Sequence, residues 1–247
     1  MGKEGTSKRQ ARREQRRRAE QRSRFWTIGV VVAVALVIAF FLIYPNVQPV
    51  GAIATAEPRT RPQVNANMAG DPNAPIKITE FADFQCPYCL RFYQNTESQV
   101  MDSYVATGKV YFVYRSYGNF IGAESKSAAE AAYCAGDQNK FWEMHDILFA
   151  NQKAENSGDF ANNRLMAFAK EIGLDMTQFQ SCFNGGKYDK QTDQDFADAH
   201  ANNVQATPSF VLSYTVNGQP KSELIEGAVP FSDFQTKIDA ALAEIGK

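Results

Sequence analysis

Twenty consecutive residues, Phe25 to Tyr44, carry no charge and are rich in Val, Ile, Ala and Phe. At ~1.5 Å rise per residue, a helix of that length spans roughly 30 Å, the hydrocarbon thickness of a bilayer. The segment is therefore expected to cross a membrane. Directly before it, residues 1–24 hold ten Lys or Arg against three Glu, a local charge of +7. Such cationic flanks stay on the cytoplasmic side, so the span is oriented and the chain beyond Tyr44 lies outside. Ala54-Thr55-Ala56 offers a rival reading, as the cleavage site of a signal peptide. An apolar signal core is shorter, about 7–15 residues, and sits close to its cleavage site; Ala56 lies well past Tyr44.

The net charge of −1 over 247 residues conceals −8 beyond residue 24. Phosphate binding needs a basic face, so an acidic body excludes nucleic acid as the partner of the folded part. All four cysteines, Cys86, Cys89, Cys134 and Cys182, follow the apolar span. Export places them where disulfides persist.

Six of the ten prolines fall between Pro45 and Pro75, in a stretch with little hydrophobic periodicity. Residues 45–70 read as a semi-extended linker, and residues 71–247 as one domain. Ile76 to Phe81 has the pattern of a strand that becomes buried, Pro87 to Ala106 that of a helix ended by Gly108, and Val110 to Arg115 that of a second strand. Strand, helix, strand is the unit of a parallel sheet. From about 123 to 203 no strand run appears and apolar residues recur at helical spacing, which predicts an all-helical insertion. Strand character returns after Pro208, with an Asn217-Gly218 turn between two runs, and Phe231 to Ile245 closes the chain as an amphipathic helix.

Cys86-Pro87-Tyr88-Cys89 stands where the first strand gives way to the first helix, with Pro87 suited to the first helical position. Unsatisfied N–H groups at a helix start stabilise a thiolate and draw a thiol pKa from about 8.5 into the range of roughly 3.5–7.5. Cys86 is then the attacking sulfur, and Cys89, one turn further in, the resolving one. A zinc site would need two more ligands, and His145 and His200, the only histidines, have no metal-like spacing; no metal is expected. A second feature is Thr207-Pro208 at the point where strand character resumes. Proline removes a ladder hydrogen bond. It marks either a strand start or a cis bond facing the cysteine pair, with the backbone of Thr207 left for an extended substrate. Cys134 and Cys182 lie on apolar helical faces; they are two buried thiols, a second redox pair or a structural disulfide, and the last is the reading adopted. Phe141, Trp142 and Phe149 are read as packing, and both histidines as structural or solvated.

Over about residues 70–247 the chain resembles the DsbA-like family of thioredoxin-fold oxidoreductases, particularly its membrane-anchored members. The resemblance rests on Gly70-Asp71-Pro72-Asn73-Ala74-Pro75, Glu80-Phe81, Asp83-Phe84-Gln85-Cys86-Pro87-Tyr88-Cys89, Phe141-Trp142 with His145-Asp146, and Thr207-Pro208. It implies an α/β thioredoxin fold carrying the helical insertion, a redox-active Cys86–Cys89 disulfide in place of a cofactor, and a cis-proline loop at Thr207 and Pro208. Pro87 and Tyr88 then join that loop at the substrate-binding surface. It also implies a buried proton-relaying acid six residues before the nucleophile, at Glu80. A quinone-linked membrane thiol oxidase is the recycling partner it implies. The family's best-known strong oxidants carry His where this chain has Tyr88.

The expected activity is thus exchange of disulfides with exported cysteine-containing proteins, as a dithiol oxidase. Cys-Pro-Tyr-Cys is shared with glutaredoxins, but those lack a helical insertion of this length. A reductase or isomerase of the same fold is one alternative. The other is a membrane-tethered peptide-binding module without turnover.

Overall fold

The computed structural model describes residues 24, 26–40 and 50–246. Residues 26–40 are helical (α1), with Trp26, Val31, Leu36 and Phe40 among its exposed apolar side chains. The expected span extends beyond α1: Phe25 and residues 41–44 lie outside the described residues, as does the basic tail up to residue 23. Among the described residues no helix is long and apolar enough to cross a membrane.

From residue 50 onward a second unit forms. Its sheet has five strands: β1 (Met68–Ala69), β2 (Ile76–Ala82), β3 (Val110–Ser116), β4 (Ser209–Val216) and β5 (Gln219–Glu226), in the order β1-β3-β2-β4-β5. β2 lies at the centre, parallel to β3 and antiparallel to β4. Its side chains are buried on both faces apart from Lys77, which explains why its sequence drifts from alternation to a continuous apolar run. The β4–β5 hairpin turns at Asn217 and Gly218, both at positive φ (51° and 78°), the geometry that an Asn-Gly pair accepts at least cost.

One helical stretch connects β2 to β3: α2 (Pro87–Phe92), a π-helical turn (Tyr93–Glu97), α3 (Ser98–Val100) and a second π turn (Met101–Val105). The final helix α9 (Phe231–Glu244) shares its side of the sheet, where Phe92, Phe210 and Phe234 meet with centroids 4.5–5.5 Å apart. Between β3 and β4 come α4 (Ala123–Gly136), α5 (Phe141–Asn151), α6 (Asn162–Glu171), α7 (Met176–Asn184) and α8 (Asp189–Ala201). Asp175 caps α7 by accepting the N–H groups of Thr177 and Gln178. The sequence pattern did not single out α8, whose outer face is polar; it is held by Asp195, buried against Arg115 and the Ser116 amide of β3.

Cys134 of α4 and Cys182 of α7 are joined by a disulfide, with Cα atoms 5.8 Å apart and a sequence separation of 48. Closing a loop of that length restricts the unfolded chain, a contribution of about 2–5 kcal/mol in small domains. Replacing both by alanine is expected to lower the unfolding free energy by that amount in urea titrations under non-reducing conditions.

The linker boundary requires correction. Most of the segment read as a free linker is seated on the unit. Asn151 bonds both backbone groups of Ala54 (2.9 and 2.8 Å), Arg59 lies over the Tyr93 ring at 3.6 Å, and Met68–Ala69 form β1 on the edge of β3. Gly70 lets this strap turn inward: its φ is +94°, and a Cβ there would meet Val105 and the Val110 carbonyl within 2.8 Å. The segment reads as a linker because backbone bonds and buried charge, rather than an apolar period, hold it in place.

Candidate active site

β2 ends at Ala82 and a four-residue turn leads to Pro87 at the head of α2. Cys86 occupies the N-cap position with extended backbone, φ −73° and ψ 122°. Its N–H bonds the Asp83 carbonyl at 3.0 Å and its own carbonyl accepts from Leu90 at 3.1 Å. Thr207–Pro208 is a cis peptide, and the Thr207 carbonyl lies 3.4 Å from the Cys86 sulfur. The fold therefore brings the cysteine turn and the cis-proline loop together at one point, 121 residues apart in the chain.

The two thiols are driven in opposite directions. A hydrogen bond from Cys89 pulls the Cys86 pKa down to about 6, against burial, with help from Thr207 and the N–H groups of Cys89 and Tyr88. Burial pushes Cys89 well above the usual thiol range, and the hydrogen bond and charge of Cys86 add to the rise. Cys86 is 5% exposed and Cys89 1%. Beside Cys86 opens a shallow cavity lined by Pro87, Tyr88, Phe120, Ile121, Glu155, Ala206 and Thr207. Tyr88 projects from it, 53% exposed, and Phe120 is equally exposed.

Glu80 pairs in register with Tyr114 and Phe210 on the flanking strands and is 2% exposed. Burial raises its pKa well above the carboxylate range, Glu97 adds to the rise, and Arg61 opposes it. Behind it, Arg61 of the strap donates to Glu97 at 2.9 and 2.7 Å and to Asp146 at 2.9 and 2.7 Å. Its guanidinium also lies over Trp142, 4.5 Å from the ring centroid. Burial works against ionisation of Asp146, but hydrogen bonds from His145 and Arg61 hold its carboxyl below the usual range.

Sequence reasoning missed Arg61, Glu97, Asp83 and Gln85. Asp83 and Gln85 stood inside the quoted motif without a role. Gln85 ties the cysteine turn to the insertion, donating to Ser125 at 2.9 Å and accepting from the Asn156 N–H at 2.6 Å. His145 is buried among Phe84, Tyr93, Tyr114, Trp142 and Phe149, and Phe141, Trp142 and Phe149 are core residues. Among the described residues no group of three or more His, Cys, Asp or Glu is arranged to hold a metal.

A sheet of this order, with a helical insertion and a paired-thiol turn facing a cis-proline, defines a protein of thioredoxin fold. Residues 63–240 match the sequence family described as Thioredoxin, and the chain belongs to that family. Probable disulfide bond formation protein D of Bacillus cereus is 29% identical over 149 residues, 58% of this chain and 68% of that protein. The Na(+)/H(+) antiporter NhaA 3 of Salinispora tropica is 31% identical over 148 residues; the match takes in 60% of this chain and spans only 21% of the antiporter. Oxidised BdbD from Bacillus subtilis shares the fold with a TM-score of 0.63 at 20% identity, covering 77% of this chain and 100% of that one.

Proposed function

We propose that the chain is a protein thiol–disulfide oxidoreductase, anchored through residues 25–44 and acting outside the cytoplasm as a dithiol oxidase on exported proteins. One observation carries this reading: Cys86 caps the head of α2 with its sulfur 3.4 Å from the Thr207 carbonyl while Cys89 is buried behind it, an arrangement that draws the outer thiol pKa down and pushes the inner one up. A substrate thiolate attacks the Cys86 sulfur of the Cys86–Cys89 disulfide. That bond breaks, its electron pair goes to Cys89, and Cys89 takes up a proton. A second substrate thiolate then attacks the substrate sulfur of the mixed disulfide, and Cys86 departs as a thiolate. Low thiol basicity makes Cys86 a good leaving group and biases the exchange toward oxidation of the substrate.

In this reading the backbone of Thr207 pairs with an extended substrate segment, Pro208 shapes that loop, and Pro87 and Tyr88 form the rim. Glu80 relays protons to Cys89 from behind. The pair needs no cofactor, and a quinone-linked membrane thiol oxidase restores the disulfide. The absence of a cationic side chain at Tyr88 favours the second reading, a reductase or isomerase, since 30 mV of potential corresponds to about 1.4 kcal/mol.

Ultraviolet titration of the reduced protein is expected to show a thiolate appearing with a midpoint near pH 6. A reduction potential near about −120 mV fits the oxidase and one near about −270 mV the reductase. A midpoint at the ordinary value of about 8.5 removes the basis for either.

A further inference from the structure

A second acid is buried beside the dithiol. Asp83, three residues before Cys86, is 2% exposed. Its backbone touches both cysteines: the carbonyl accepts the Cys86 N–H at 3.0 Å, and its N–H reaches the Cys89 sulfur at 3.5 Å. Carboxylate Oδ1 accepts the Gln85 N–H at 2.8 Å, a turn that asparagine makes equally well. Oδ2 is buried and makes no close hydrogen bond; the Ser125 hydroxyl and the Ile121 N–H approach the carboxylate and ease its ionisation only in part.

The surrounding groups do not neutralise it. Those that titrate are Cys86 at the N-cap of α2, Cys89 within it and Tyr114 from β3. From α4 comes the uncharged Ser125, while Glu124 is turned to the Gly158 and Phe160 amides. A buried carboxylate with one poorly satisfied oxygen and no cation among these groups is costly to ionise. A second negative charge, the Cys86 thiolate, forms next to it.

Resting on the dithiol exchange proposed above, we infer that Asp83 and Cys86 share one proton, so that Asp83 absorbs the proton which the Cys86 thiolate leaves over in each cycle. The step balances. A closed disulfide with Asp83 as carboxylate takes two electrons and two protons from a substrate dithiol. It becomes a dithiol in which Cys89 holds one proton and the Asp83–Cys86 pair the other, with no change in net charge. The substrate leaves as a disulfide. Burial pushes Asp83 up to about 6; hydrogen bonds from the Gln85 N–H, the Ser125 hydroxyl and the Ile121 N–H oppose the rise, and the Cys86 charge adds to it. Cys86 sits at about 6 as well, so the two compete over the same range and titrate as a pair.

The test is the pH dependence of the reduction potential of the full chain, measured against glutathione, for wild type, Asp83→Asn and Asp83→Ser. Each proton taken up with two electrons contributes about 30 mV per pH unit. Wild type is expected to fall by about 59 mV per unit around pH 6, and both variants by about 30 mV once Cys86 is ionised. With the charge gone, Cys86 should also titrate in one step at roughly tenfold higher acidity. In the wild type, the carboxyl carbon resonance of Asp83 should titrate at lower pH when the disulfide is closed, because linkage between two sites is reciprocal. Equal slopes in wild type and variants, or an Asp83 resonance blind to the redox state, overturns the shared proton. An ordinary thiol titration of wild-type Cys86 overturns the exchange reading beneath it instead.

Discussion

Replacing Arg61 by methionine is expected to destabilise the protein by about 3–5 kcal/mol, the usual cost of removing one partner from a buried ion pair. The Arg61 side chain is 2% exposed, as is that of Glu97, and Asp146 is 9% exposed. Methionine fills most of the volume against Trp142 but takes from two buried carboxylates the cation they share, leaving Glu97 only the more distant Arg59 at 3.8 Å and Asp146 its bond with His145. Burial alone would weaken the proton on Arg61, and the charges of Glu97 and Asp146 more than reverse this. The sign of the pH dependence follows from Asp146. Its folded pKa is depressed, so its contribution is present above the unfolded value of about 3.9 and is lost as pH falls through the folded one. The deficit of Arg61→Met should therefore be full at neutral pH and shrink in acid, where the stranded carboxylates accept protons. Lysine at this position should recover less than half of the loss, because it cannot make the forked contact to both acids. Urea unfolding at neutral and acid pH measures all three. A deficit below about 1 kcal/mol, the range of a surface pair, or one independent of pH, would show that the strap is not held as described.

The same variant bears on the site. Arg61 is the cation that draws the Glu80 pKa down, so its loss should leave Glu80 holding its proton more firmly. Arg61, in the segment that precedes β1, thus acts on the buried carboxyl of Glu80. This connection was illegible in sequence for a physical reason. Hydrophobic periodicity reports packing of apolar faces. The strap is held by one buried guanidinium, by backbone bonds to Asn151 and by a two-residue strand, none of which repeats with any period. The cysteine turn was legible because the period changes from two to that of a helix at Cys86, with Pro87 marking the first helical position. Glu80 fell on the strand in the sequence reading, but its burial depends on helices covering both faces of β2, which no local pattern states. Asp83 stood in the motif without a role; its second oxygen becomes significant only once the fold has enclosed it. The Thr207–Pro208 loop lay between a predicted insertion and a predicted strand, and only the sheet order places it against Cys86.

Cys86→Ser and Cys89→Ser are expected to fail in different ways. With Cys89 replaced, the Cys86 thiolate still attacks a substrate disulfide: its sulfur bonds to one substrate sulfur and the other leaves with the electron pair. No internal thiol then displaces the product, so mixed disulfides through Cys86 should accumulate and be visible on non-reducing gels. With Cys86 replaced, Cys89 must attack alone. At neutral pH Cys86 is roughly nine-tenths ionised, whereas a thiol well above 9 is less than about 1% ionised, a difference of about two orders of magnitude. Removing Cys86 also removes two of the influences that raise Cys89, but burial, the largest, remains. Access lowers the rate further, since Cys89 is 1% exposed and thiol exchange requires an in-line approach to the sulfur. The loss in exchange rate for Cys86→Ser is therefore expected to reach on the order of 10³, measured by mixing the reduced variant with a glutathione-blocked peptide. Mixed disulfides trapped equally through either sulfur would contradict the assignment of an outer nucleophile and an inner resolving thiol. The asymmetry in ionisation would then have no bearing on the chemistry.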